Sequence, residues 1–480
     1  MTYYHGVYVS ERETSIRPQA NAASCLPYVI GVVNFGSDAT AELNVPVLCH
    51  TYKDFLAAFD VEDAPVIEFD DYTLSAFARH WYKRAGGGDC IFVAIEKSDT
   101  RRFKVHGDEK VESINGTEYP LHDYYSDEKI SYSASLVESI ESVTVTGSSL
   151  SWQAEAFPTT SQTKTAVGIK TSTTGSSATL TGVVTITANL SDSFINPQPA
   201  FDALDEVYSR LAKIPTVICF PRYAIDLDND VNYCSELAQK ARSFGDGWSA
   251  IALVDLAYTW GNAQPQKPLN SPYLLYCSPR CLCNNEYVDA STVVCGTLAN
   301  VDNINGGFPF VSPSNQLAYI DGIIDESGQQ IYNNRFICNE NFNAWGVVTF
   351  WNNPKGWCVW GNNTGAYPAI TDPKDRLIPI RRTFSYIEND FIVYAAPRID
   401  LPINKRQIEG IINGYNQRLK GFVGVGVVNS ARVAYSANNT PESLLNGTLY
   451  IDVFIAPPPP TENLQATFEY DVEGFVASLA

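Results

Sequence analysis

The sequence predicts a multidomain α/β (α+β) protein with an inserted all-β, sandwich-like domain and an extended strand arm at each end. Three observations predict this class. Strand–helix–strand text begins at "LPYVIGVVNFG", stops after "CIFVAIE" and resumes near residue 196. Between these parts, "ESVTVTGSSLSW" through "ATLTGVVTITANL" is Ser/Thr-rich and alternates with period two. At the two ends, "GVYVSE" and "ATFEYDV" read as strands with no neighbour to pair with.

The first arm is assigned to residues 1–28, with Val7, Tyr8 and Val9 as its strand. An isolated strand is unstable, and its unpaired backbone invites addition to a sheet edge. The α/β unit follows at 29–109. "PVLCHTYKDFLAAFD" reads as strand then helix. In "DDYTLSAFARHWYKRAGGGDCIFVAIE", Leu74, Phe77, Ala78 and Trp81 recur at helical spacing, glycines stop the helix, and a buried strand follows.

Character changes near Lys110. Val143 and Val145 face one way, and Thr144 and Thr146 the other. Leu150, Trp152, Phe157, Ile169, Leu180, Val183, Val184 and Ile186 can supply a small core, so 110–195 is expected to be an inserted β domain at the surface. Residues near 110 and 195 should then lie close together. The α/β unit continues over 196–334 with "FDALDEVYSRLAKI", "PTVICFP", "YCSELAQKARSFGDG" and "WSAIALVDLA".

A third unit is expected over 335–460. It opens on the Trp-rich hairpin text "NAWGVVTFWNNPKGWCVWGNNT". Its second helix is well marked. Asn404 can cap it with Gln407 three residues on, Ile408, Ile411, Ile412, Tyr415 and Leu419 form one apolar stripe, and Gly421 is the expected stop. After "GTLYIDVFIAP", Pro457 to Pro460 form a stiff extended spacer. The second arm, 461–480, alternates Ala466, Phe468, Tyr470 and Val472 with polar residues. Two arms on one chain suggest exchange between copies.

At 480 residues the chain exceeds one compact core. Net charge is −20, which argues against nucleic acid, since phosphate binding needs a basic footprint. No run of ~18 apolar residues exists, so no membrane insertion is expected. No basic region followed by an apolar run opens the chain, so no secretion signal is expected. Eleven cysteines is an odd total, so at least one thiol cannot pair within the chain. Cys25, near the end of the first arm, is the candidate for a disulfide between subunits. Cys277, Cys281, Cys283 and Cys295 cluster, but the C-x3-C-x-C spacing fits no common zinc site.

Catalytic motifs are absent. None of the five histidines sits in a metal or nucleophile pattern, and the glycines at 86–88 lack the Lys-Ser/Thr of a phosphate loop. "DLDND" at 226–230 lacks the glycine and distal glutamate of a calcium loop. Asp70 and Asp71 precede a helix and suit capping. No enzyme activity, cofactor or metal is expected.

The pieces together resemble contractile phage tail sheath proteins. "YHGVYVSE" resembles the family's start, and "SPSNQLAYIDGI" its turn-and-helix segment. "NAWGVVTFWNNPKGWCVWGNNT" is similar to its strand pair, and "IPIRRTFSYIENDF" to its helix beginning V-R-R-T. "TPESLLNGTLYIDVFIAPPPPTENLQATFEYD" is similar to its closing pattern. Asn363, followed by Thr364, stands where the family often has arginine, and the insert is not part of the common core.

The resemblance implies a structural subunit in stacked rings of six around an inner tail tube, with baseplate and tail terminator proteins as further partners. It implies strand arms lent to neighbouring subunits, and contraction that drives the tube through a cell envelope. The location implied is the virion tail, assembled in host cytoplasm. Contacts with the tube must release during contraction, which favours polar over apolar ones. Lys405, Arg406, Arg418 and Lys420 are therefore the tube-facing candidates, with Arg381 and Arg382 second. Two competing readings are the sheath of a headless, tail-like bacteriocin or injection particle, and a surface carbohydrate-binding adhesin that uses the β insert.

Overall fold

The computed structural model describes residues 25–63, 72–95, 97–106, 122–125, 128–131, 137–145, 152–158, 165–171, 183–226, 231–258, 265–284 and 286–478, with backbone alone from 97 to 194. Val7, Tyr8 and Val9 lie outside the described residues, as do Asp70 and Asp71.

An eight-stranded sheet organises the body. Its spatial order is Val47–Cys49, Cys90–Ala94, Pro27–Gly31, Val217–Cys219, Ile251–Asp255, Leu274–Cys277, Val347–Asn353 and Gly356–Trp360. The six inner strands are parallel, and the two outer ones are antiparallel to their neighbours. A parallel sheet is covered on both faces, so its strands read as continuous apolar runs. All five residues of Pro27–Gly31 and of Cys90–Ala94 are buried accordingly.

Helices cover the sheet. Thr73–Lys83 buries Leu74, Phe77, Ala78 and Trp81, the predicted stripe. Tyr52–Phe59 starts with a capping box between Thr51 and Asp54. Cys234–Arg242 and Ala290–Ile304 complete the layers. Residues 312–323, expected as turn and helix, form turns leading into strand Gly322–Ile324.

The β segment is rooted at strands Lys97–His106 and Val183–Ile195, which pair from Lys97↔Ile195 to Val183↔His106. Its entry therefore lies near 97, not 110. Strand Val137–Val145 adds to the other side, with Val143 opposite Ile186 and Val145 opposite Val184. Two further hairpins pair His122–Tyr125 with Glu128–Ser131, and Trp152–Pro158 with Thr165–Thr171. The side chains expected to form its core lie outside the described residues.

The Trp-rich hairpin does not open a third unit. Tyr276 pairs with Val347, so the hairpin extends the main sheet. The second core begins later. Tyr386, Ile387, Tyr394, Tyr415, Leu419, Phe422 and Val433 gather between helices Ile378–Ala395 and Lys405–Val425 and the hairpin Ser430–Tyr435/Ile451–Ala456. The second helix runs through Gly421 and ends at Gly426, whose φ of 88° suits a left-handed cap. Among the described residues no helix is long and apolar enough to cross a membrane.

Candidate assembly surface

The surface follows from how helix Lys405–Val425 is held. The Asn404 side chain accepts a hydrogen bond from the Gln407 amide at 2.9 Å, capping the start. Tyr415, Leu419 and Phe422 are buried in the second core, with Ile411 and Ile412 half-buried against it. Residues 406, 409, 410, 413, 417 and 420 form the exposed face.

That placement sorts the basic candidates. Lys405, Arg406 and Lys420 are exposed. Arg418 turns inward, where its Nε donates to Asp390 at 2.7 Å; Asp390 is 1% exposed. Arg382 is a correction to the sequence reading. Its guanidinium is 3% exposed and paired with the fully buried Asp302, so it does not face outward. Arg381 is buried likewise. Its Nη2 donates to Glu388 at 3.0 Å, and its guanidinium lies 5.0 Å from the Tyr273 ring centre. Arginine accepts burial when its fork is paired or stacked, and these residues join elements of one chain.

The hairpin presents a second feature. Ser430 pairs with Ala456 and Tyr435 with Ile451, and among the described residues no further strand pairs with either edge. Such edges are templates for strand addition.

The C-terminal segment is the third. Residues 457–471 adopt no regular hydrogen-bonded structure, and Val472–Ser478 form a helix. Val472 therefore opens a helix instead of continuing a strand. Leu464 is 88% exposed, Phe468 95% and Tyr470 70%. Large apolar side chains left this bare are uncommon on a chain that acts alone. Glu462 pairs with Arg376, which fixes the root of the segment to the body.

Beside the hairpin lies an apolar groove of about 770 Å³, lined by Ile403, Ile408, Ile412, Tyr435, Leu444 and Leu445, with Asn404, Lys405, Glu409 and Pro441 at its rim. The sequence reading missed it. Its signal was "TPESLLNG", where Thr440 and Ser443 form a capping box and two leucines follow in a polar context.

Ten of the eleven cysteines are buried and all are free thiols. Burial pushes the Cys49, Cys283 and Cys338 thiols up to about 12, away from the reactive thiolate. Cys25 is half-buried against the main core and is a hydrogen-bond neighbour of Cys295 in its own chain. That in-chain contact competes with a bond to another subunit. His80 and Cys283 approach to 3.9 Å, but burial lowers His80 to about 3, so the imidazole is neutral. Among the described residues no three metal-ligating side chains converge.

No family model matches the chain. A curated relative, the tail sheath protein of Burkholderia phage BcepMu, is 26% identical over 184 residues, 38% of each chain. A chain of the anti-feeding prophage baseplate superposes with a TM-score of 0.59 at 16% identity, covering 98% of this chain and all of the other. The fold is that of contractile-sheath proteins. The same prophage's contracted helical sheath gives a TM-score of 0.57 at 16% identity over 98% of this chain. The contracted sheath complex of an extracellular contractile injection system, PVC, gives 0.56 at 15% over 99%. The sheath fold thus spans both cores, while the sequence match spans a little over a third of the phage relative. These relatives give the adhesin reading no support.

Proposed function

We propose that the chain is the structural subunit of a contractile sheath. It assembles as stacked six-membered rings around an inner tube, joins baseplate and terminator proteins at the two ends, and contracts to drive the tube through a cell envelope. The observation that carries this is the likeness to sheath chains along 98% of the length. The exposed C-terminal segment supports it, because among the described residues Phe468 and Tyr470 stay largely in solvent. Strand exchange through the two arms (Val7 to Val9 and Ala466 to Tyr470) would add backbone hydrogen bonds worth about 0.5–1.5 kcal/mol net each. Contraction would draw on surface newly buried between subunit bodies, at about 25 cal/mol per Å² of apolar area.

The tube contact is assigned to Arg406 and Lys420, with Lys405 at the start of the same helix. The first two share its exposed face, about 21 Å apart at 1.5 Å per residue. They are free of ion pairs among the described residues, so they can meet an acidic tube surface and release it. Electron microscopy of the purified protein tests the assembly. Hollow striated cylinders, lost on deleting residues 1–20 or 462–480, are expected. Compact monomers both alone and with tube protein would refute it.

A headless injection particle is the second reading, favoured by the likeness to the anti-feeding prophage and PVC chains. Capsid and terminase genes beside this one would decide for a phage.

A further inference from the structure

Strand Val47–Cys49 is an outer edge of the main sheet, held to Cys90–Ala94 by three residue pairs. The last of these sets Cys49 directly opposite Cys90. Among the described residues it is the only place where one cysteine faces another across a strand pair.

We propose that Cys49 and Cys90 are the site of a disulfide that forms when the protein meets an oxidising solution, and that the bond clips the edge strand to the sheet. That the protein meets such a solution rests on the sheath reading, because a particle freed by lysis leaves the reducing cytosol. The placement of the two thiols does not depend on that reading.

Directly opposed residues of an antiparallel pair have Cα atoms about 4.5 or 5.5 Å apart, and disulfides span about 4.4–6.8 Å. Opposed side chains also share one face of the sheet. Here that face is shared with Phe92, two residues beyond Cys90, which packs on Phe55, Phe77 and Tyr82 of the covering helices. Both cysteines are buried beneath those helices. The Tyr82 hydroxyl donates to the Cys49 carbonyl at 2.8 Å and holds the end of the edge strand in place. Cys277, Cys281 and Cys338 donate to the carbonyls of Leu275, Pro279 and Phe350. Among the described residues neither the Cys49 nor the Cys90 sulfur has such an acceptor.

The bond would guard a vulnerable edge. Peeling of Val47–Cys49 would uncover Cys90–Ala94, whose five residues are all buried and apolar, and a bare apolar strand invites pairing with another chain. Three residue pairs hold weakly, and such edges open at free energies far below that of global unfolding. Opening is also the route of the reaction. In the closed fold burial raises the Cys49 thiol to about 12, so thiolate is scarce. When the edge opens, one cysteine thiolate attacks a small disulfide such as oxidised glutathione, forms a mixed disulfide and releases one glutathione thiolate. The opposed cysteine then attacks the protein sulfur of that mixed disulfide and expels the second glutathione. Two protein thiols are oxidised to one disulfide, and the oxidant, reduced to two thiols, takes up both protons.

The test incubates the full-length chain with oxidised glutathione at mildly alkaline pH, caps the remaining thiols by alkylation and maps the peptides by mass spectrometry. A Cys49–Cys90 cross-link is expected, formed faster in dilute urea that opens the edge. It should raise the melting temperature by at least about 3 °C and slow amide exchange across Val47–Cys49, and reductant should reverse both. Cys49→Ala and Cys90→Ala are each compared with and without reductant, so that any loss of packing cancels. Neither should show the reductant-sensitive rise. Recovery of both residues as alkylated thiols or glutathione adducts, in dilute urea as well as in buffer, overturns the proposal. A cross-link from either residue to a different cysteine overturns it too, as does a rise that persists in the alanine variants. Cylinders that form in reductant would leave the sheath reading standing in each of those cases. Their absence from cross-linked protein supplied with tube protein would count against the sheath reading alone.

Discussion

Arg382 and Asp302 form a buried ion pair that ties helix Ile378–Ala395 to helix Ala290–Ile304. The Arg382 Nη1 donates to the Asp302 Oδ1 at 3.0 Å, and the two side chains are 3% and 0% exposed. The pair links the helix that bridges both cores to a helix packed on the main sheet. Burial pushes the Asp302 carboxyl above its ordinary range, and the guanidinium opposes that push. Removing one partner leaves the other buried and unmatched. Arg382→Met should cost about 3–5 kcal/mol, and the double variant Arg382→Met/Asp302→Leu less than the sum of the singles. Chemical denaturation of unassembled protein measures both.

Arg418 and its basic neighbours on the same helix should separate in experiment. Asp390 is almost fully buried and depends on Arg418. Arg418→Ala should destabilise the chain toward the lower end of about 3–5 kcal/mol, because the guanidinium keeps 21% exposure. The pair Arg406→Glu and Lys420→Glu should leave the melting temperature within about 2 °C, since exposed charges contribute little. Its effect should appear only in co-assembly with tube protein. Equal loss of stability from both sets would contradict the division between inward and outward arginines.

Periodicity made much of this architecture legible. The Leu74–Trp81 stripe, the cap at Asn404 and the buried parallel strands each follow from a local pattern, and local patterns report which face is covered. Three features were not legible for physical reasons. The partner of strand Val347–Asn353 is Leu274–Cys277, some seventy residues away, and turn-rich text does not reveal which sheet a hairpin joins. Arg381 and Arg382 read as surface charge because their counter-ions lie on other turns or other helices. The groove needed two elements, and each alone shows only an ordinary apolar pair. Gly421 misled for a simpler reason: a glycine inside a helix costs about 1 kcal/mol, which tertiary packing overrides.

Gly414 faces the Tyr394 side chain where the two long helices pack together. A Cβ there would collide with the Tyr394 hydroxyl, which donates to the Ile411 carbonyl at 3.0 Å. The Tyr394 ring also packs 5.0 Å from that of Tyr415. Gly414→Val should therefore force the helices apart or expel Tyr394, at a cost of about 1–3 kcal/mol. Tyr394→Phe combined with Gly414→Ala should recover part of that loss, because the colliding oxygen is gone. Thermal melting of the two variants decides it.

Asp255 should make stability fall as pH rises toward neutrality. It ends strand Ile251–Asp255, and its carboxylate accepts from the Ser291 amide at 2.7 Å and from the Arg222 amide at 3.0 Å. Protein surrounds it densely, although part of the residue reaches solvent. Burial, then the charge of Asp289, raise the carboxyl to about 7, against the lowering effect of those hydrogen bonds. An unfolded aspartate titrates near pH 4, so between about pH 4 and 7 the folded chain holds more protons than the unfolded one. The stabilisation is complete below the unfolded value and is lost as pH rises through the folded one. Asp255→Asn keeps an acceptor for Ser291 and cannot ionise. It should flatten the decline between about pH 4 and 7 that urea titrations of the parent protein are expected to show. A variant whose pH profile matches the parent's would show that Asp255 is ionised throughout, held so by the Ser291 and Arg222 amides.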